Sequence, residues 1–283
     1  MHIPPDTPLS HLRFVAFDTE TTGLSPVAAR LVELSGVKFS AEGHVESSFS
    51  ELIDPELDIP PESTAIHGIT NDMVAGKPRF QSVVPAFFSW VGEGSTVLVA
   101  HNAPFDLGFL EVAMAKLGIA GPDLPVLDTL HLSRRLLTDA PNHQLRTLIG
   151  HLGLEPGEYH RALADSHHVR SMLIKLLALV PEITTWGELS SLTPMIFFNN
   201  LSAQGIEQLK EMPTGFESIR DAIDGNIAIS MVYNNGSSAT RVVTPQSVHA
   251  WRGAVYMNAY CHSAQAERTF RMDKIVRFQL LAP

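Results

Sequence analysis

The order of short apolar runs constrains the fold of this chain more than any other feature of the sequence. Three strand-like runs follow one another near the start, and after them strand-like runs alternate with helical patterns. A loop signal, A-E-G-H, separates the second run from the third and has the right length for a hairpin. This order predicts an α/β domain with a mixed sheet covered by helices. The predicted strands are 12–17, 30–39, 44–53 and 95–100, and the predicted helices are 80–91, 105–117, 143–151 and 161–180.

A change of pattern in the last third of the chain predicts a second, smaller domain. Residues 181–214 show no clear period and contain Pro194, Gly205 and Pro213, so we expect a linker there. Strand-like runs follow, and the turn N-N-G-S-S joins the first two of them. The expected organisation is a first domain at 10–180 and a β-rich domain at 215–283. The runs in the β-rich domain are 226–233, 240–244, 254–260 and 268–272.

Composition excludes several classes of protein. The formal net charge of −10 provides no global positive field with which the whole protein could coat nucleic acid. Cys261 is the only cysteine, so neither a disulfide within the chain nor a Cys-based zinc site is expected. The start of the sequence lacks the basic and apolar regions of a secretory signal, and the most apolar helical stretch, 172–180, is too short to span a bilayer. These features predict a soluble, cytoplasmic protein without a membrane partner.

The sharpest local motif is F-D-T-E-T-T-G-L, which follows the first predicted strand. Asp18 and Glu20 are two residues apart, so on a strand both carboxylates point to the same face. Two like charges side by side repel, and a divalent cation is one way to neutralise them. The turn at Gly23 would let backbone N–H groups approach a ligand. A solvated strand-to-loop edge is the alternative interpretation of this motif taken alone.

Two further motifs contain acidic residues at element ends. In H-N-A-P-F-D, Asp106 falls in the first turn of a predicted helix, where a carboxylate also suits the helix dipole. In H-R-A-L-A-D, Asp165 opens the next long helix, and His160 stays in the preceding loop as a suitable base for deprotonating water. A helix-capping segment with an incidental histidine is the alternative for this third motif.

Taken together, D-x-E-T-T-G-L, H-N-x-x-F-D and H-x-A-x-x-D resemble the three motifs of the DEDDh exonuclease superfamily, most of all those of the proofreading ε subunit of bacterial DNA polymerase III. The segment T-A-I-H-G-I-T-N-D-M-V is similar to a substrate-contacting loop of that group, and the resemblance covers 14–177. It implies a ribonuclease H-like fold and a reaction that uses two divalent cations, Mg²⁺ or Mn²⁺.

The resemblance also implies a role for individual residues. Asp18, Glu20 and Asp165 would hold the first cation, Asp18 and Asp106 the second, and His160 would activate the attacking water. Thr21, Gly23 and Leu24 would contact the terminal nucleotide, His67 would lie near the substrate strand, and Asn102 would support Asp106.

The C-terminal domain contains arginines in or beside its strand-like runs. Arg241, Arg268 and Arg271 could form ordinary surface ion pairs or line a groove for phosphates. The patterns R-V-V-T-P, A-V-Y-M-N-A-Y-C and R-T-F-R-M-D-K-I resemble a WYL domain, which implies a small Sm-like β-barrel that binds nucleic acid or nucleotide-type ligands. The motif that gives this family its name departs here, because V-Y-M keeps only Tyr256.

Two functions from different classes remain. The first is a metal-dependent 3′→5′ exonuclease acting on single-stranded nucleic acid, with DNA favoured over RNA and the C-terminal domain binding or sensing nucleic acid. The alternative is a regulatory nucleic-acid-binding protein that uses an inactive exonuclease fold as a platform. The complete set of four carboxylates and a histidine favours the enzyme. A polymerase or repair partner stays open at this point.

Overall fold

The computed structural model describes residues 3–157, 159–198, 212–234, 238–251 and 254–281. These residues divide into two compact units. The first takes most of residues 3–198, and the second takes residues 212–281 together with Gly23–Arg30 and Pro60–Glu62. Among the described residues, every helix is too short or too polar to span a lipid bilayer.

The first unit contains a mixed five-stranded sheet in the order β3-β2-β1-β4-β5. The central strand β1 is antiparallel to β2 and parallel to β4, and β4 is parallel to β5. The predicted hairpin is present as the antiparallel pair of β2 and β3. The α/β fold and the mixed sheet predicted from the sequence are confirmed. The strands are β1 (Arg13–Thr21), β2 (Leu31–Ser40), β3 (Val45–Leu52), β4 (Thr96–Ala100) and β5 (Val126–Asp128).

Helices cover this sheet. Helix α3 has the predicted bounds and buries Val83, Val84 and Phe87. Helix α4 lies between two residues with left-handed backbone, Asn102 with φ 67° at its start and Gly118 with φ 66° at its end. The helices of this unit are α1 (Pro61–His67), α2 (Asn71–Val74), α3 (Phe80–Val91), α4 (Ala103–Leu117), α5 (Thr129–Leu136), α6 (Leu145–His151), α7 (Ala162–Ala178) and α8 (Trp186–Ser191).

The core of the first unit lies between the sheet and α7. Phe14 and Phe39 stack with ring centroids 5.7 Å apart, and both are fully buried. Met172 and Leu173 of α7 belong to the same apolar cluster. This packing fixes the N-terminal end of α7 relative to β1, and residues from both elements form the site described below.

Part of the segment expected to be a linker packs with the first unit. Trp186 of α8 belongs to the cluster around Phe14, and Ile196 forms a bridge with Val126 of β5. Residues 199–211 of that segment lie outside the described residues. The domain boundaries stay a prediction.

The second unit is built on an antiparallel sheet in the order β10-β6-β7-β8-β9. Ile219 of helix α9 (Ser218–Asp224) is buried in its apolar cluster with Ile229, Met257 and Phe270. This confirms the predicted β-rich C-terminal domain. The strands are β6 (Ile229–Asn234), β7 (Ser238–Trp251), β8 (Ala254–Cys261), β9 (Ala266–Arg271) and β10 (Ile275–Leu280).

The pairing of the described residues joins these five strands in a row and does not link β9 to β10, so closure into a barrel stays a prediction. The tip of the predicted turn between the first two strands, 235–237, lies outside the described residues.

Candidate active site

The carboxyl ends of three parallel strands meet at one edge of the first sheet. Strand β1 ends with Asp18 and Glu20, β4 leads into the start of α4, and β5 ends at Asp128. In open α/β sheets this edge is where ligands bind. The topology therefore gathers motifs that are far apart in the sequence.

Three carboxylates form a compact cluster at this edge. Asp18, Glu20 and Asp165 each present an oxygen atom, and these atoms lie within 4.8 Å of one another. Asp18 and Glu20 share a face of β1, as the spacing predicted, and Asp165 lies in the first turn of α7. A set of carboxylate oxygens alone suits a hard divalent cation such as Mg²⁺ or Mn²⁺.

The second oxygen of Asp165 supports this assignment. Its Oδ2 accepts a hydrogen bond of 2.8 Å from the backbone N–H of His160. Its Oδ1 is buried without a hydrogen-bond partner. A buried polar atom without a partner is costly, and coordination of a cation would satisfy it. The residues present therefore fit a metal site.

Burial and mutual repulsion raise the pKa values of the cluster. Burial is the main cause for Glu20, whose pKa rises to about 8, with contributions from the nearby charges of Asp165 and Glu33. Burial, followed by the charges of Asp106 and Glu20, holds the pKa of Asp18 well above its usual range. Without a cation, the cluster therefore retains protons at neutral pH, and a bound cation would replace them.

Asp106 lies beside this cluster and has its own support. It is 3% exposed in the first turn of α4, and its Oδ1 accepts hydrogen bonds from the backbone N–H and the hydroxyl of Thr19, at 3.0 and 2.7 Å. Burial raises the pKa of Asp106 to about 7, and the bonds from Thr19 oppose that shift. These two hydrogen bonds from Thr19 hold the Asp106 carboxylate in place, and the predicted support from Asn102 stays a prediction.

The exposed Asn102 has a different place at the site. Its backbone has φ 67°, and its N–H donates to Oδ1 of Asp128 at 2.9 Å. Asp128 is fully buried and also accepts from the N–H of Leu130 and interacts with Nδ1 of His131. Asp128 therefore fixes the turn from which α4 carries Asp106 into the site. None of the three sequence motifs contains Asp128.

His160 occupies the turn before α7, as predicted. It has a left-handed backbone with φ 61°, and its N–H bond to Asp165 ties the turn to the carboxylate cluster. An imidazole next to a carboxylate cluster is placed to accept a proton from a water molecule there.

An ion pair with a buried carboxylate holds Arg161, the next residue of this turn. The guanidinium of Arg161 binds the carboxylate of Glu33 through two bonds, Nη2 to Oε1 at 2.8 Å and Nε to Oε2 at 3.2 Å. Oε2 also accepts from the N–H of Ala162, the first residue of α7, at 2.9 Å. Glu33 is 2% exposed within the apolar strand β2. A charged residue in such a strand is rarely buried without a partner. A glutamate within an apolar run of the sequence was therefore a signal from which a buried ion pair at Glu33 could have been predicted.

The residues of the first unit that are predicted to lie near the substrate differ in exposure. Thr21 is buried, Gly23 is half-buried, and Leu24 is 77% exposed. His67 is buried in α1, and its Nδ1 accepts from the N–H of Ile69 at 3.0 Å. Burial lowers the pKa of His67, which favours the neutral ring.

The predicted C-terminal residues divide between two faces of the second sheet. Tyr256 lies directly opposite Arg271 across β8 and β9, and its ring stacks on His249 with centroids 5.7 Å apart. Arg241 is paired with Met231 on the neighbouring strand, and Arg268 is paired with Ala259. Paired residues lie on the same face of a sheet, and Met231 and Ala259 face the core, so Arg241 and Arg268 lie on the core-facing side. The four side chains therefore do not share one face. Arg271 also forms an ion pair with Asp273 at 2.6 Å.

Known relatives match the first unit in sequence. The chain is 38% identical to the PolC-type DNA polymerase III of Halalkalibacterium halodurans over 170 residues, which is 60% of this chain and 12% of the relative. The same type of polymerase from Bacillus subtilis is 38% identical over 165 residues, 58% of this chain and 11% of the relative. The chain thus spans about an eighth of the length of these curated relatives.

Solved nuclease structures share the fold at low sequence identity. Escherichia coli exonuclease I in complex with a dA16 oligonucleotide aligns with a TM-score of 0.56 and 16% identity, covering 88% of this chain and 55% of that one. Cell-death related nuclease 4 aligns with a TM-score of 0.53 and 15% identity, covering 62% of this chain and 66% of that one.

Two family models match the chain. Residues 215–280 match the WYL domain. Residues 15–171, more than half of the chain, match the family described as Exonuclease (RNase_T). The chain therefore belongs to the exonuclease family and carries a WYL domain in its C-terminal part.

Proposed function

We propose that this protein is a metal-dependent 3′→5′ exonuclease of the DEDDh type that acts on single-stranded nucleic acid, with DNA favoured over RNA. The observation that carries the proposal is the cluster of Asp18, Glu20 and Asp165, whose oxygens lie within 4.8 Å of one another, with His160 hydrogen-bonded to the third. The names of the relatives, a DNA polymerase and an exonuclease bound to a dA16 oligonucleotide, favour DNA.

The carboxylates would hold two divalent cations, Mg²⁺ or Mn²⁺. Asp18, Glu20 and Asp165 would bind one of them, and Asp18 with Asp106 the other. Bound there, the cations would supply charge stabilisation for the attacking and leaving oxygens of an in-line displacement at phosphorus.

The remaining roles belong to side chains around the cluster. His160 would take the proton of the attacking water at its imidazole, while its backbone stays tied to Asp165. Thr21, Gly23 and Leu24 would contact the terminal nucleotide, and the exposed Leu24 is free to pack on a base. His67, neutral at physiological pH because its pKa is lowered, would contact the substrate strand by hydrogen bonding rather than by charge.

The C-terminal domain would bind or sense nucleic acid. Tyr256 and Arg271 share a face of its sheet, so an aromatic ring and a guanidinium are available to one strand of nucleic acid. Arg241 and Arg268 belong to the opposite face and would contribute separately.

The test is degradation of 5′-labelled single-stranded DNA and RNA of matched sequence, with Mg²⁺, Mn²⁺ or EDTA, by wild type and His160→Ala. We expect a metal-dependent ladder that shortens from the 3′ end and is lost in the variant. A ladder from the 5′ end would contradict the direction. No cleavage of either strand with any metal would favour the alternative of a nucleic-acid-binding platform.

A further inference from the structure

The turn that carries His160 has an unfavourable backbone conformation. With φ 61°, His160 is left-handed, a conformation that residues other than glycine adopt only when their surroundings hold them there. In this conformation the N–H of His160 donates to Oδ2 of Asp165 at 2.8 Å. Contacts that hold the turn therefore decide how often His160 is in place.

One such contact lies on the C-terminal side of His160. Arg161 binds the buried carboxylate of Glu33 through two bonds, and the same carboxylate accepts from the first N–H of α7. A bidentate pair of this kind is geometrically strict. It fixes the backbone where the turn enters α7, on the C-terminal side of His160.

A second contact lies on the N-terminal side. The ring of Tyr159 stacks on the ring of His168, with centroids 4.7 Å apart and planes within 15°. His168 belongs to α7 and is 8% exposed. The guanidinium of Arg146 of α6 lies over the Tyr159 ring, 5.5 Å from its centroid. The chain also runs close to His168 at Gly157, where an added Cβ atom would be 3.1 Å from the imidazole ring.

We propose that Tyr159 is a positioning residue for the reaction, and that its stack on His168 holds the His160 turn against α7. The inference rests on the proposed function, since it assigns a role relative to His160. Tyr159 does not contact the reacting atoms in this role. It raises the fraction of molecules in which His160 keeps its left-handed turn and its bond to Asp165.

The size of the effect follows from the kind of contact. An aromatic stack contributes modestly beyond its buried area, so losing it corresponds to a change of about three- to tenfold in population. The residues proposed to contact the terminal nucleotide, Thr21, Gly23 and Leu24, belong to a different segment of the chain. Loss of the stack should therefore lower kcat and leave KM nearly unchanged.

Steady-state cleavage of labelled single-stranded DNA with Mn²⁺ tests this for the full chain. We expect Tyr159→Ala to lower kcat about three- to tenfold with KM within about twofold, and Tyr159→Phe, which keeps the stack, to restore kcat. The double variant Tyr159→Ala/His168→Ala should be no slower than the slower of its two single variants. Tyr260→Ala is the matched control, because it removes another Tyr–His ring contact, with His262, at 5.4 Å. Its kcat should equal that of wild type.

Hydrogen exchange of the His160 amide provides a readout that does not depend on activity. This N–H is bonded to Asp165, so its exchange should become about three- to tenfold faster in Tyr159→Ala and stay as in wild type in Tyr159→Phe. If wild type cleaves nothing, the proposed function fails, and the exchange rates still decide whether the stack holds the turn.

Three results would overturn the inference. The first is the same rate of hydrogen exchange at the His160 amide in wild type and in both variants. The second is an increase of KM with unchanged kcat in Tyr159→Ala. The third is an equal loss of kcat in Tyr159→Phe and Tyr159→Ala.

Discussion

Charge is neutralised differently at the acidic edge of the first sheet and on the face of the second sheet that carries Arg271. At the edge, Asp18, Glu20 and Asp165 lie together, burial raises their pKa values, and one carboxylate oxygen is buried without a partner. On the second sheet, Arg271 is already neutralised by Asp273. A cation from outside the chain would complete the first arrangement, whereas the ion pair of the second neutralises its own charge. The two regions should therefore respond differently to substitution, pH and salt.

The largest difference should appear when one carboxylate of the edge is neutralised. We expect Asp18→Asn to lower kcat by about a thousandfold or more, because Asp18 is proposed to contact both cations. The exposed Asp139, which is in the same unit, offers the matched control Asp139→Asn, which should cleave like wild type. Metal-dependent cleavage of labelled single-stranded DNA measures both. Wild-type activity in Asp18→Asn would remove the basis for the proposed site.

Glu33 differs from the other carboxylates of the acidic edge, because its charge is neutralised within the chain by Arg161. Glu33→Gln keeps the shape of the side chain but removes the charge that neutralises Arg161, and it should lower kcat by about 10- to 100-fold by loosening the start of α7. Because Arg161 is a third exposed, the loss in free energy of unfolding should be about 1–3 kcal/mol. Arg161→Lys, which keeps the charge but not the bidentate geometry, should lie between wild type and Glu33→Gln. Full activity in Glu33→Gln would show that the pair only stabilises the fold.

The stability of the metal-free protein should depend on pH because of the acidic edge. In the folded protein the pKa of Glu20 is raised from 4.5 to about 8 and that of Asp106 from 3.8 to about 7, so the folded state holds protons that the unfolded chain has already released. The free energy of unfolding should therefore fall as pH rises from about 4.5 to 8. Urea denaturation in EDTA at several pH values measures this.

Mn²⁺ should restore the lost stability at pH 8 more than at pH 5, because it binds the ionised carboxylates. Asp18→Asn should make the metal-free profile flatter. A profile without slope in wild type would contradict the raised pKa values.

The smallest effects should come from the second sheet. Arg271→Gln should weaken binding of single-stranded DNA in EDTA about twofold and reduce the salt slope by at most about one, because Asp273 competes with phosphate for the guanidinium. Asp273→Asn releases Arg271 and should strengthen binding by a similar factor. Fluorescence anisotropy at several salt concentrations measures both variants. Changes in the same direction would exclude a role for Arg271 in binding.

The regular elements and the acidic motifs could be predicted from the sequence because their signals are local. Helix α3 has the predicted bounds, since its apolar period spans the whole helix. The strand predicted to end before Pro245 continues as β7 to Trp251. Pro245 has no N–H to donate, but a bulge between Pro245 and Ser247 accommodates it in the sheet. Strand β5 was missed because three residues are too short to show a period.

The supporting residues of the site were missed for a different reason. Glu33 and Arg161 are 128 positions apart, and Thr19 and Asp106 are 87 positions apart. Such pairs come together only when the sheet has formed, so no pattern in a short stretch of sequence predicts them. The motifs identified the carboxylates, while the residues that orient them required the structure.

The two left-handed residues at the ends of α4 have a consequence for how this region tolerates changes of length. Asp106 lies four residues after Asn102, and each residue added within a helix rotates everything after it by about 100°. An insertion between these two residues would turn Asp106 away from the edge of the sheet. An insertion beyond Gly118 would lengthen only a loop. We therefore expect homologous sequences to keep a constant length between Asn102 and Asp106 and to vary in length after Gly118.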